Sequence, residues 1–161
     1  MKEAGCYQMQ FGIESGSERM LSLMNKRLNL SAARETLSAC DRLGIETVAF
    51  FIMGYLGETQ EDLGKTIHFI KETHPDFISL NPYINMPGSP LHKKTLSAMI
   101  SNSAERTAEK LYRNYYFTPE YVLVRMKKLF RHPDYAILFI RQNLRFWRAR
   151  EGELWRAIEN E

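Results

Sequence analysis

The stretch Phe11-Gly-Ile-Glu-Ser-Gly-Ser-Glu-Arg-Met-Leu21, followed by Met24-Asn-Lys26, decides how this chain of 161 residues is read. Residues 6–14 alternate. Tyr7, Met9, Phe11 and Ile13 share one face, and Gln8, Gln10, Gly12 and Glu14 share the other. This pattern predicts a strand with one face under helices and one turned to a polar space. The strand ends on a carboxylate, Glu14, and passes through Ser15-Gly-Ser17. It then enters a helix expected over Glu18–Asn25 with Ser17 as its N-cap. In α/β proteins strand carboxyl ends and helix amino ends converge where ligands bind. Glu14 is therefore placed to accept from a ribose diol or an ammonium group, beside the N–H groups of Ser15-Gly-Ser17. An ordinary capping carboxylate, drawn by the helix dipole, fits the same pattern.

Working outward, Ser31 is the expected cap of a helix reaching Leu43, with Ala33, Leu37 and Cys40 on one face and Gly44 as its stop. Glu46–Gly54 is nearly continuously apolar, as a buried parallel strand should be. Thr59 with Asp62 three residues on predicts a capping box and a helix to about Thr73, its core face Leu63, Ile67 and Ile70. His74-Pro75-Asp76 ends that helix, and Phe77–Tyr83 reads as a third strand, with Ser79, Asn81 and Tyr83 on one face. Asn85-Met-Pro-Gly-Ser-Pro90 is a rigid turn. Strands alternating with helices of this length indicate βαβαβ units in a parallel sheet. Gly54-Tyr-Leu-Gly57-Glu58-Thr59 repeats the strand, glycine turn and capped helix of the opening stretch. It either flanks a flat heterocycle or is a plain turn.

The composition suits a chain with a core: 44% of residues are hydrophobic and 25% charged, which excludes wholesale disorder. No apolar run approaches the roughly 18 residues that span a bilayer. Met1-Lys-Glu-Ala-Gly5 reads as a helix end stopped by glycine, so a chain starting partway through a fold is expected. Cys6 and Cys40 have no cysteine neighbour at metal-ligand spacing, and the four histidines are equally scattered. Both cysteines read as structural, a reducing cytoplasmic setting fits, and no metal site or Ser/His/Asp set is read.

Charge divides the chain. Residues 1–91 carry 8 Lys/Arg and 11 Asp/Glu, and residues 92–161 carry 14 and 8. The expected units are 1–91, a parallel α/β body, and 92–161, a helical extension. The extension is read as helices over Lys93–Arg113, Tyr121–Arg131 and Tyr135–Arg150, with an aromatic hinge at Tyr115–Pro119 and a break at His132-Pro133. Its cations, among them Arg125, Lys127, Lys128 and Arg131, read as the solvated face of helices packed on the sheet. A membrane-surface contact is the alternative, ahead of nucleic acid, because Ala136–Ile140 is strongly apolar.

Gly12–Ser17, Leu23–Lys26, Ile52–Thr59 and Pro87–Leu91 together resemble, in order and interval, motifs of the radical S-adenosylmethionine (SAM) superfamily. The group whose members carry a cobalamin-binding domain is the nearest match. Leu56 stands where that family usually has proline, and Met86 where it often has an aromatic residue. The resemblance implies the C-terminal half of a (β/α)6 partial TIM-type barrel with a helical tail. It also implies that Glu14 contacts the SAM ribose or methionyl part, with Ser15 and Ser17 in the turn beside it. Lys26 falls near the SAM carboxylate, and Ile52 and Gly54 line the adenine. Implied cofactors are SAM, a [4Fe–4S] cluster whose Cys-x3-Cys-x2-Cys ligands lie upstream of Met1, and cobalamin in the full-length protein. The implied partners are a missing N-terminal half or complementary chain and a small apolar substrate, with no nucleic acid. A chain of this kind is expected to be inactive alone. Half a barrel also leaves an open sheet edge, which predicts self-association.

Overall fold

A computed structural model describes residues 1–84, 102–134 and 137. Its elements run from a short 3-10 turn, Lys2–Ala4, through β1 (Gln8–Glu14), α1 (Glu18–Leu23), α2 (Leu30–Arg42) and β2 (Glu46–Met53). They continue with α3 (Gln60–Thr73), β3 (Phe77–Pro82), α4 (Asn102–Tyr116) and α5 (Pro119–Arg131). The three strands form a parallel sheet in the order β1-β2-β3. The α/β reading is thus correct. The turn Asn85–Pro90, residues 93–101 and most of the region read as a last helix lie outside the described residues.

Alternation sorts β2 as expected. Ala49, Phe51 and Met53 are buried on the helix side, joining Ile13, Leu37, Phe69, Ile70, Ile78 and Leu80 in one core. Phe51 meets Phe69 edge to face, with centroids 6.4 Å apart. The same core takes in Ala108 and Tyr115 of α4. The tyrosines of α4 also close one edge of the sheet. The hydroxyls of Tyr116 and Tyr112 accept from the Ile78 and Leu80 amides at 2.9 and 2.7 Å. The opposite edge has no such cover: among the described residues β1 pairs with β2 alone.

The glycine stops are where the sequence places them, with Gly5 and Gly44 at φ of 88° and 66°. Thr59 and Asp62 form the capping box. Three local readings need correction. The cap of α2 is Asn29, whose side chain accepts from the Ala32 amide at 3.0 Å; Ser31 sits inside the first turn. Ser17 stands at the N-cap of α1, but its hydroxyl makes no capping bond because Asp62 on α3 takes it. The buried face of α3 is Asp62, Thr66, Phe69 and Ile70, with Leu63 and Ile67 only half-buried. The helix is turned toward the Ser15–Ser17 turn, and polar bonding there outweighs the apolar count.

A fourth correction concerns the tail. Arg125 and Lys128 are not on a solvated face. Both are buried against Asp76, which precedes β3. Asp76 Oδ1 accepts from Arg125, and Oδ2 accepts from Lys128 Nζ at 2.6 Å and from Thr47 N at 2.7 Å. Lys128 also donates to the Ile45 carbonyl at 3.0 Å, and Tyr121 to that of Asp76 at 2.9 Å. Burial pushes the Tyr121 hydroxyl up to about 12. Exposed apolar side chains lie elsewhere on α5, at Val122, Leu123, Met126 and Phe130. Its inward side thus carries the charge and part of its outward side is apolar. Among the described residues no helix is long and apolar enough to cross a membrane.

Candidate functional site

The sheet face away from the core forms the floor of the site. Alternation places Gln8, Gln10, Gly12 and Glu14 of β1 on it, with Val48, Phe50 and Ile52 of β2 and Ser79 and Asn81 of β3. The register sets Gly12 beside Phe50 and Phe50 beside Ser79, and Ile52 beside Asn81. The floor is therefore an apolar rib flanked by polar strands. At its start Gln8 donates to Glu46 and lies 3.5 Å from the Gln10 amide. At its end Ser79 and Asn81 are bonded to each other at 3.3 Å.

Glu14 ends β1 where the register slips relative to β2. Its backbone is left-handed, at φ 67°, a conformation a side chain adopts only when the surroundings impose it. Its carboxylate accepts from Lys26 Nζ at 3.1 Å, and the pair is partly exposed, 22% and 38%. Both groups lie over Gly12: a Cβ there would stand 2.8 Å from Glu14 Oε1 and 3.3 Å from Lys26 Nζ. A side chain there would push the ends of both groups aside. Lys26 reaches it because Asn25, also left-handed, ends α1 and lets the Lys26 amide bond the Leu21 carbonyl at 2.8 Å.

Ser15 and Ser17 are elsewhere. Both are buried and face α3. Ser15 Oγ lies 3.1 Å from Thr66 Oγ1, which also accepts from the Gly16 amide at 3.0 Å. Ser17 donates to Asp62 Oδ1 at 2.6 Å. Gly16 touches α3 so closely that a Cβ would lie 2.6 Å from the Lys65 carbonyl and 2.7 Å from Thr66 Cα. Of the residues singled out in the sequence, Glu14 and Lys26 come together on the open side and Ile52 lies one strand over. The serines are turned to the packed side.

Gly54 follows β2 with φ 73°, and its amide donates to Glu58 Oε2 at 2.7 Å. The other oxygen of Glu58 is buried with no hydrogen-bond partner among the described residues, and burial raises its pKa. Nearby, Tyr55 and Tyr83 meet edge to face, with centroids 4.8 Å apart. Sequence reasoning missed Glu58, and it missed Asp62 as anything beyond a cap. A polar pair at i and i+4, Asp62 and Thr66, in an otherwise apolar helix face was the available signal.

The site residues suit a ligand bearing separated positive and negative groups beside a flat apolar part. They do not suit an iron–sulfur cluster. Cys6 lies with its thiol 3.7 Å from the Gln8 carbonyl, and Cys40 is buried beside Met9. Among the described residues no group of three or more His, Cys, Asp or Glu is placed to hold a metal ion.

Known proteins match this architecture. A family model described as the radical SAM superfamily matches residues 1–70. An uncharacterized methyltransferase of Pyrococcus horikoshii is 32% identical over 91 residues, covering 56% of this chain and 20% of that protein. A tRNA-2-methylthio-N(6)-dimethylallyladenosine synthase of Clostridium novyi is 32% identical over 95 residues, with 56% and 21% covered. An anaerobic magnesium-protoporphyrin IX monomethyl ester cyclase of Cereibacter sphaeroides is 27% identical over 93 residues, with 58% and 15% covered. The solved coproporphyrinogen III oxidase of Escherichia coli, titled a radical SAM enzyme, superposes with a TM-score of 0.58 at 16% identity. That match covers 71% of this chain and 27% of the oxidase. The chain spans about a fifth of the length of the first relatives named. Residues 1–70, which hold β1, β2 and the two turns that follow them, are thus similar to the radical SAM superfamily.

Proposed function

We propose that this chain is the SAM-positioning and substrate-wall part of a radical SAM enzyme. The observation that carries the reading is the Glu14–Lys26 pair, open above Gly12 at the carboxyl end of β1. A ligand with an α-ammonium or ribose diol and an α-carboxylate replaces that pair with matched charges: Glu14 accepts from the former, and Lys26 Nζ donates to the latter. Ile52 and the backbone at Gly54 then flank the adenine. Bound there, SAM supplies the sulfonium carbon–sulfur bond whose reductive cleavage this superfamily uses to form a 5′-deoxyadenosyl radical.

The cluster's ligands, and cobalamin where it is used, belong in this reading to polypeptide beyond the described residues. The chain is inactive alone and works with an N-terminal half or a complementary chain that adds beside β1, in the cytoplasm. The apolar rib Val48, Phe50 and Ile52 suits a small apolar substrate rather than a nucleic acid. Peripheral membrane contact is the weaker reading, because Arg125 and Lys128 are committed to Asp76.

Isothermal titration of the full chain with S-adenosylhomocysteine tests the proposal. Binding that falls at least about tenfold in both Glu14→Gln and Lys26→Met is expected, one charged contact each. No binding, or binding indifferent to both changes, overturns it.

A further inference from the structure

The turns at the carboxyl ends of β1 and β2, Ser15–Ser17 and Gly54–Thr59, are joined behind the site by one carboxylate. Asp62 is 2% exposed. Its Oδ1 accepts from Ser17 Oγ at 2.6 Å and from Arg19 Nε at 3.2 Å. Its Oδ2 accepts from Thr59 Oγ1 at 2.6 Å, from Thr59 N at 3.0 Å, and from Arg19 Nη2. Arg19 carries the link further, donating to the Gly57 carbonyl at 2.6 Å. Arg19 belongs to α1 and Gly57 to the second turn, so the guanidinium spans both. Hydrogen bonds from Arg19, Ser17 and Thr59 hold the Asp62 carboxyl well below the usual carboxylate range.

A capping box needs only Thr59 and Asp62. The bonds from Ser17 and Arg19 are surplus to it: one comes from the other turn and one from α1, the helix that follows that turn. Thr66, one helical turn on, adds the second latch through Ser15 and Gly16. The packing of Gly16 on the α3 backbone leaves no slack in between. We infer that Asp62 is a positioning residue: by joining the two turns it fixes the separation of Glu14 and Lys26 from Gly54, so that one rigid ligand engages both ends at once.

This inference rests on the proposed function, in which Glu14 and Lys26 take the amino-acid end of the ligand and Gly54 its adenine end. Asp62 touches neither end. Its loss should therefore spare what each turn does singly and remove the gain from joining the two. That gain is an effective-concentration term, lost when geometry forbids simultaneous engagement.

The test compares wild type, Asp62→Asn, the milder Ser17→Ala, and Tyr112→Phe, a destabilised control on α4 beside the far edge of the sheet. Each full chain is titrated with S-adenosylhomocysteine, and separately with adenine and with methionine, by ligand-observed NMR. Asp62→Asn is expected to weaken the whole ligand about tenfold or more while the fragments change less than about twofold. Ser17→Ala shows a smaller effect in the same pattern, and Tyr112→Phe shows none. Unchanged affinity of Asp62→Asn for the whole ligand overturns the inference alone, as does equal weakening of whole and fragments. If the fragments bind no variant measurably, the whole ligand decides: Asp62→Asn must fall against Tyr112→Phe, or the inference is overturned. A wild type that binds no S-adenosylhomocysteine overturns the proposed function and this inference with it.

Discussion

Two carboxylates stand at opposite ends of the sheet, and each meets a cation distant in sequence. Asp76, at the amino end of β3, is sealed: its side chain is 4% exposed, and those of Arg125 and Lys128 are 9% and 3% exposed. Glu14, at the carboxyl end of β1, is open, and so is its partner Lys26. The same chemistry serves two ends. At the sealed end every donor comes from the chain and the pair holds α5 to the sheet. At the open end a single bond joins the pair, so a ligand of matched charge can replace it. Burial, not pairing, separates a structural ion pair from a candidate binding one.

The sharpest way to break this comparison is Asp76→Ala. It removes the carboxylate that buried Arg125 and Lys128 share and should cost about 3–5 kcal/mol, measured by urea unfolding. A loss under about 1 kcal/mol would mean the end is not sealed. Gly16→Ala follows, because a Cβ there meets α3 backbone; a cost of about 1–3 kcal/mol is expected.

Asp62 adds a pH signature. Its folded pKa is depressed, so its contribution is fully present above the unfolded value of about 3.9 and is lost as pH falls through the folded value. Unfolding followed from pH 6 to pH 2 should steepen below about pH 4 in wild type, and less in Asp62→Asn. Tyr112→Phe removes the acceptor for the Leu80 amide and should cost about 1 kcal/mol. Glu14→Gln closes the series at under about 1 kcal/mol, with a stability nearly indifferent to salt. A larger loss there would make Glu14 a structural residue and erase the contrast.

Much of this was legible in the chain. The apolar run of β2, the Thr59/Asp62 box and the glycine stops give strands and helices from local rules alone, since each depends on neighbours a few residues away. Glu14 was singled out by its place at a strand end and Lys26 through the family resemblance, and the structure brings the two together. What escaped reading depends on partners far along the chain. Arg125 and Lys128 lie 49 and 52 residues from Asp76, and no periodicity links them. The cap of α2 was misplaced because Asn29 and Ser31 both have capping chemistry, and the choice turns on which residue leaves the helix. Ser15 and Ser17 looked ligand-facing for a similar reason: a Ser-Gly-Ser turn does not reveal which side its hydroxyls take.

The tyrosine hydroxyls on β3 limit how the sheet can grow. With the Ile78 and Leu80 amides already satisfied, β3 is a terminated end, and among the described residues β1 is the edge left to template another strand. Two copies meeting through β1 would each present a terminated β3 outward, so edge pairing through the three described strands stops at a symmetric pair.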